Sequence, residues 1–459
     1  MLKRKIESKF KTWRESRKTA LLVTGARQVG KSYSIGHFLQ TTFKSVVSID
    51  FSEKSDLIET FATVKSYEDF IVRLSIVFGE RLIKGETVIF LDEIQLLYKR
   101  REELAKDGSV FDYVDILTLM KPAALKGDYR FVLSGSLLGV TLNNVVLNPL
   151  GYMDTFQMYP LDFEEYLWAK GVGEEAIAYL KERFVSLEPV FEAINKKFLD
   201  YFREYVLIGG MPEAVSSFVA NKNVSLVNSI QTQVTKDYAS DIMAYMKEKE
   251  RKLKIKDIYQ AIPSELNAKN KRFVSSHVLD PTYVKTKPFE DDFLWLTSAG
   301  IALPVYNVAD PVSPLLLSCQ RKTLKLFMND VGLLSSALLD EEARWQLLKG
   351  ERALNYGAPY ENAAAQELWA HGFSERLFYF NSKKHGEVDF LVEYKNEVLP
   401  IEIKSGKPNQ MLIYNHTALN SIMKTYAVEK AYVFGETNLM KENDKIIQLP
   451  IYMLSFLTK

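Results

Sequence analysis

Gly25-Ala26-Arg27-Gln28-Val29-Gly30-Lys31-Ser32 decides the fold of the first third of this chain. The stretch carries Gly, four variable residues, then Gly-Lys-Ser, and it directly follows Ala20–Thr24, an apolar run that reads as a buried strand. Glycines let such a loop curl until successive backbone N–H groups point inward at phosphate oxygens, and the helix that follows directs its positive end at the same anion. Lys31 is then the cation that bridges β- and γ-phosphates, and Ser32 the hydroxyl that ligates Mg²⁺. Gly25, Ala26, Arg27, Gln28, Val29, Gly30 and Tyr33 complete the expected ATP contact.

Working outward, Thr87-Val88-Ile89-Phe90-Leu91 is a second apolar run, and it delivers two carboxylates, Asp92 and Glu93, at its end. Two acids at the end of a buried strand repel each other and lose hydration unless a cation or a polarised water uses them. Asp92 is expected to hold Mg²⁺ through water, and Glu93 to activate the attacking water as general base. A third run, Phe131-Val132-Leu133, ends in Ser134-Gly135-Ser136, where a hydroxyl of Ser134 or Ser136 could reach the γ-phosphate or its water, the position of an AAA-type sensor. With Ser45–Phe51 these runs alternate with helix-length segments, the βαβ rhythm of a parallel sheet. Arg27, Arg100, Arg101 and Arg130 are all available for a trans-acting arginine, and nothing in the sequence chooses among them.

Bulk properties bound the rest. The 459 residues can bury more than one core, and 59 Lys+Arg against 58 Asp+Glu leave a formal net charge of +1, so any basic groove must be local. A single cysteine, Cys319, excludes an intrachain disulfide and any site needing two thiolates, and it suits a reducing compartment. Lys9, Lys11, Arg14 and Arg17 interrupt the stretch where a signal peptide would need its apolar segment, and no apolar run approaches a membrane span. The chain therefore reads as cytoplasmic, without membrane contact.

From about Asp162 to Leu339 strands are expected to give way to amphipathic helices, among them Phe191–Tyr205, Ser225–Met246 and Lys252–Ile262, with a turn at Gly209-Gly210-Met211-Pro212. Afterwards short strands return, at Arg376–Phe380, Gly386–Glu393, Val398–Lys404 and Lys430–Phe434, with helices expected at Tyr360–His371 and near Gln410–Lys424. The expected division is a P-loop ATPase core at 1–161, a helical lid at 162–250, a winged-helix-like segment at 251–339 and a separate α/β domain at 340–459.

With these motifs placed, the chain resembles a prokaryotic family of AAA-like P-loop ATPases that carry a C-terminal domain of uncharacterised function with a restriction-endonuclease-like core. The resemblance rests on the Gly25–Ser32 loop, Phe90-Leu91-Asp92-Glu93-Ile94-Gln95, Leu133–Leu137, Tyr159–Tyr166, Ile208–Glu213, Leu326–Leu334 and Glu387–Ile403. Where many relatives have Gly-Arg after the sensor strand, this chain has Gly151-Tyr152. The resemblance implies an ATPase lid followed by a winged-helix-like segment. There Lys269, Lys271 and Arg272 could contact phosphates.

The C-terminal segment supplies a second candidate centre. Asp389 precedes Glu402-Ile403-Lys404, and strand alternation puts Glu402 and Lys404 on one face. This is the D…E-x-K arrangement of PD-(D/E)XK nucleases, in which Asp389 and Glu402 would share Mg²⁺ or Mn²⁺ and Lys404 would orient or deprotonate water. Glu361, on the preceding helix, is a third candidate ligand, with Glu367 a weaker substitute. The histidines form no metal-ligand spacing, although His385 lies close to Glu387.

The expected function is an ATPase whose nucleotide state positions a nuclease-like domain on nucleic acid, DNA ahead of RNA, with a partner protein or second copy as a further partner. The alternative is a nucleotide-switched adaptor whose C-terminal domain binds without cutting.

Overall fold

The computed structural model describes residues 2–16, 20–107, 113–136, 151–245, 249–268, 272–273, 290–349, 357–374, 376–405, 416–441, 443 and 445–459. Lys269, Lys271 and the chain at 406–415, where a helix was expected to begin, lie outside these residues. The chain forms two compact units, one of Arg4–Tyr159 with Ser298–Gly300, the other of Met1–Lys3, Pro160–Thr297 and Ile301–Lys459.

In the first of these, β1 (Ala20–Gly25), β2 (Ser45–Asp50), β3 (Thr87–Asp92), β4 (Arg130–Ser136) and β5 (Met153–Met158) form a five-stranded sheet in the order β2-β3-β4-β1-β5. All its pairings are parallel. Every residue of β1 and β3 is buried, as strands covered on both faces require, and this is why they read as continuous apolar runs. Phe61, Phe70, Leu74, Leu91, Leu97 and Phe131 belong to the core on one side. The first four strands match expectation within a residue or two, whereas β5 was not expected. It is an edge strand, and its Asp154, Thr155 and Gln157 break any apolar run.

The other unit begins with helices at Phe163–Ala169, Glu174–Ser186, Glu192–Ile208, Pro212–Asn221 and Val224–Tyr245, followed by Lys249–Asn267 and Glu290–Ser298. The first is set by a capping box: Asp162 accepts from the Glu165 N–H at 2.9 Å, and Glu165 reaches back to the Asp162 N–H at 3.3 Å. The strand-free middle expected up to Leu339 is corrected here. β6 (Ala302–Val308) and β7 (Cys319–Met328) form an antiparallel pair, and β6 pairs in parallel with β8 (Phe378–Ser382). The sheet of the C-terminal region thus begins well before residue 340. β7 escapes notice because its first half, Gln320-Arg321-Lys322, is exposed and charged, leaving only Leu324–Met328 buried.

With β9 (Gly386–Tyr394), β10 (Glu397–Lys404), β11 (Ala431–Gly435), β12 (Met440–Lys441) and β13 (Ile446–Pro450) these strands make an eight-stranded mixed sheet, in the order β12-β13-β11-β10-β9-β8-β6-β7. β9 and β10 form a hairpin whose two-residue turn, Lys395-Asn396, has φ of 51° and 67°. Two consecutive left-handed residues match the right-handed twist of a two-residue hairpin. Register runs from Glu397↔Tyr394 to Ile401↔Phe390, which sets Glu402 next in line with Asp389. Helix Thr417–Tyr426 covers one side of this sheet through Leu419, Ile422 and Met423.

Candidate functional site

The loop between β1 and the helix Lys31–Thr42 is built by backbone conformations that its residues make feasible. Gly25 has φ of 152°, and a Cβ there would stand 2.3 Å from the Met158 carbonyl oxygen, so the turn out of β1 against β5 requires glycine. Gln28 and Gly30 follow at φ of 65° and 90°, and no side chain caps the helix that starts at Lys31. Val29 is buried and anchors the loop, whereas Arg27, Gln28, Ser32 and Tyr33 are exposed. Lys31 folds back over the loop, donating from Nζ to Gly25 O at 3.2 Å and Ala26 O at 2.9 Å. Arg4, which no motif identifies, clamps the arrangement: its Nη1 donates to Val29 O at 2.9 Å and its Nη2 to Tyr159 O at 2.7 Å.

Sheet order brings the other residues to the loop. β4 lies between β1 and β3, with Val23 beside Ser134, Gly25 beside Ser136, and Leu133 beside Leu91. Ser134 therefore sits between the phosphate loop and the Asp92–Glu93 pair. It is fully buried, and its hydroxyl has no hydrogen-bond partner among the described residues. Asp92 is 2% exposed and accepts the Glu93 N–H at 3.0 Å. Glu93 has φ of 55°, and Gln95 donates to its carboxylate. Burial pushes the Glu93 carboxyl above its ordinary value, only partly offset by the positive charge of Lys31. Arg100, Arg101 and Arg130 all have partners within the fold, Arg100 pairing with Glu59 and, at 3.2 Å, with Glu103. Arg101 donates to Ala62 O at 2.6 Å and Val114 O at 2.8 Å, and the Arg130 guanidinium lies 5.5 Å from the Trp13 ring.

These residues fit ATP with Mg²⁺: a curled loop ahead of an uncapped helix, a lysine on that loop, and an orphaned buried hydroxyl facing it from the next strand. Ser32 and Asp92 would hold the ion.

The C-terminal acids also gather, but around a cation the sequence reading missed. Lys325, from β7, is fully buried; its Nζ lies 2.6 Å from Glu387, 3.8 Å from Glu361 and 3.9 Å from Asp389. Glu361 comes from the helix Gly357–Leu368 and is 4% exposed. Asp389 keeps 16% of its side chain exposed, and its Oδ2 accepts the Ile403 N–H at 2.9 Å. Desolvation and then Glu361 push Asp389 up to about 7, with Glu402 adding to the rise. Glu402 pairs with Lys404 Nζ at 3.0 Å and with His416 Nδ1 at 3.3 Å. Burial would raise its carboxyl, but His416 and Lys404 together bring it below the ordinary value.

Two expectations about neighbours change. His385 does not join the acids: its Nδ1 bonds Ser421 Oγ at 2.7 Å, while His416 takes a place beside Glu402. Glu367 is committed elsewhere, accepting the Phe163 N–H at 2.7 Å. Among the described residues no group of three or more His, Cys, Asp or Glu side chains is arranged to hold a metal ion. As they stand, Glu361, Asp389 and Glu402 do not fit the second Mg²⁺ or Mn²⁺ expected there, because an ammonium already stands beside two of them.

Comparison with known proteins bears mainly on the N-terminal unit. A family profile described as "AAA domain" matches residues 17–167. Two further profiles, described as "Domain of unknown function (DUF8612)" and "Domain of unknown function (DUF4143)", match 199–344 and 356–454. No curated protein matches the chain. Among solved structures, the Walker-type ATPase PABY2304 of Pyrococcus abyssi is 16% identical, with 74% of this chain and 96% of that one covered at a TM-score of 0.40. The Thermotoga maritima RuvB Holliday junction branch migration motor is 12% identical, with 66% and 89% covered at 0.28. The Aeropyrum pernix ORC1 protein in complex with DNA is 14% identical, with 76% and 93% covered at 0.27. No helix among the described residues is long and apolar enough to cross a membrane. The phosphate loop, the Asp-Glu strand end and the AAA profile across them together make the N-terminal part of this chain an ATP-binding, AAA-like P-loop ATPase domain.

Proposed function

We propose that the chain hydrolyses ATP in its N-terminal unit and uses its C-terminal unit as a binding module, so that nucleotide state controls the hold on a partner. Hydrolysis is carried by one observation, the unpartnered Ser134 hydroxyl between the Lys31 loop and the Asp92–Glu93 pair. In this reading Lys31 and the loop N–H groups bind the phosphates, and Ser32 and Asp92 hold Mg²⁺, which supplies positive charge to the phosphates. Glu93 takes the proton of the attacking water. Burial raises its carboxyl and so makes it a stronger base than an exposed glutamate. Ser134 donates to the γ-phosphate or to that water, with Ser136 at the mouth of the same strand, and Gln95 orients Glu93.

The partner of the C-terminal unit is nucleic acid, DNA ahead of RNA, with a protein or second copy as further occupants. A second reading, a metal-dependent nuclease, is favoured by the meeting of Asp389, Glu402 and Lys404. The position of Lys325 weighs against it.

The test uses Glu93→Gln and Lys31→Ala in the full chain. Glu93→Gln should keep ATP bound while turnover falls by about 10²–10⁴, the usual range for a general base. Lys31→Ala should lose nucleotide binding. Labelled single- and double-stranded DNA and RNA, with ATP and Mn²⁺, should be retained by the Glu93→Gln protein without cleavage. Normal turnover in Glu93→Gln would move the base elsewhere, and Asp389-dependent cleavage would replace the binding-module reading with the nuclease.

A further inference from the structure

The C-terminal acids raise a question that their number alone does not answer: what balances them. Four carboxylates, Glu361, Glu387, Asp389 and Glu402, stand with two ammoniums, Lys325 and Lys404. Lys404 is a quarter exposed and pairs at the rim with Glu402, as a residue that contacts water or a ligand would. Lys325 differs. It has no exposed surface, and it reaches Glu387, Glu361 and Asp389 from a strand at the far edge of the sheet order. Its ammonium also lies 5.1 Å from the centre of the Tyr379 ring, a second favourable surface for a desolvated cation. Tyr379 is itself fully buried, and its hydroxyl has no partner among the described residues.

A buried ammonium is retained only where surrounding charges outweigh its desolvation. Here three carboxylates surround it, Glu387 at 2.6 Å, Glu361 at 3.8 Å and Asp389 at 3.9 Å from its Nζ. A divalent ion bonded at about 2.1 Å to the Glu361 and Asp389 oxygens that face it could stand no farther than about 6 Å from this ammonium, where like charges repel.

We propose that Lys325 is the resident cation of this centre: its ammonium takes the place a divalent ion would occupy between Glu361 and Asp389, and it keeps the centre metal-free. The inference deepens the binding-module reading of the same site and rests on it. Of the pair beside it, Glu402 is buried and only Lys404 reaches solvent, with a quarter of its side chain exposed.

Mn²⁺ binding to the nucleotide-free full chain, followed by calorimetry and by the electron paramagnetic resonance of free Mn²⁺, tests this in an Asp92→Asn background that removes the ATP-site ion. The parent should take up no Mn²⁺ through Asp389. Lys325→Met should acquire a Mn²⁺ site at least tenfold tighter than anything in the parent, and adding Asp389→Asn should abolish it. Asp389-dependent Mn²⁺ uptake by the parent would overturn the proposal, and so would a folded Lys325→Met protein that binds no Mn²⁺. Should Lys325→Met fail to fold, the parent decides, because its uptake needs no variant at Lys325. Cleavage of DNA or RNA is a separate readout: it would defeat the binding-module reading whether or not Lys325 governs the metal.

Discussion

Replacing Ser134 by alanine separates a residue kept for chemistry from one kept for packing. The hydroxyl is fully buried and unpartnered among the described residues, so the folded, nucleotide-free protein carries its desolvation without a return. An unsatisfied buried polar group costs about 1–3 kcal/mol, and removing a single oxygen leaves too small a void to cancel that. Ser134→Ala should therefore be as stable as the parent, or more stable by up to about 2 kcal/mol, in urea or thermal unfolding without nucleotide. Turnover should move the other way. A hydrogen bond to a charged group is worth roughly 1.5–3 kcal/mol, and at about 1.4 kcal/mol per tenfold that predicts a fall in kcat of about 10- to 150-fold. Steady-state ATP hydrolysis on the same preparation reads it, with Ser136→Ala as the comparison at the outer end of β4. A Ser134→Ala protein that is destabilised by more than about 1 kcal/mol yet hydrolyses ATP normally would refute the reasoning, since the hydroxyl would then be a structural donor.

Arg4→Ala should weaken nucleotide binding from outside every recognised motif, because it strips the donors from Val29 O and Tyr159 O. At about 1.5 kcal/mol for each charge-assisted bond the loss in stability is roughly 3 kcal/mol, measured by unfolding alongside the Kd of a fluorescent ATP analogue; unchanged values in both would remove Arg4 from the site. Asp330 gives a pH dependence. It is fully buried and accepts the Gly210 N–H at 2.5 Å, and burial pushes its carboxyl from 3.8 up to about 6. A raised carboxyl makes the folded state bind the extra proton, so this stability is fully present below 3.8 and is lost as pH rises through about 6. The whole span is worth roughly 3 kcal/mol, of which about 1.4 kcal/mol falls between pH 5 and pH 7.5. Urea unfolding of the parent and Asp330→Asn at those two pH values should show that difference, and parallel behaviour of the two proteins would contradict it.

Much of the ATP site was legible in the sequence because its parts are contiguous in the chain. The loop from Gly25 to Ser32, the Asp92–Glu93 strand end and the Ser134–Ser136 end each combine an apolar run with chemistry within a few residues, and a doubly covered strand advertises itself as an unbroken run. The hairpin carrying Asp389, Glu402 and Lys404 was legible for the same reason, through alternation along two neighbouring strands. Two edge strands were not: β5 and the outer half of β7 face solvent on part of their length, so their patterns read as loop or helix, whereas the edge strand β2 was legible. What only the tertiary structure decided is which distant residues meet. Arg4 reaches Val29 and Tyr159 from the segment ahead of the first helix, and Lys325 reaches Glu387 and Asp389 from another strand of the same sheet, across intervals of chain that no local period encodes. Charge is felt through space and periodicity along the chain, so the same acids that read as a metal centre in sequence acquire, once folded, a lysine for their cation.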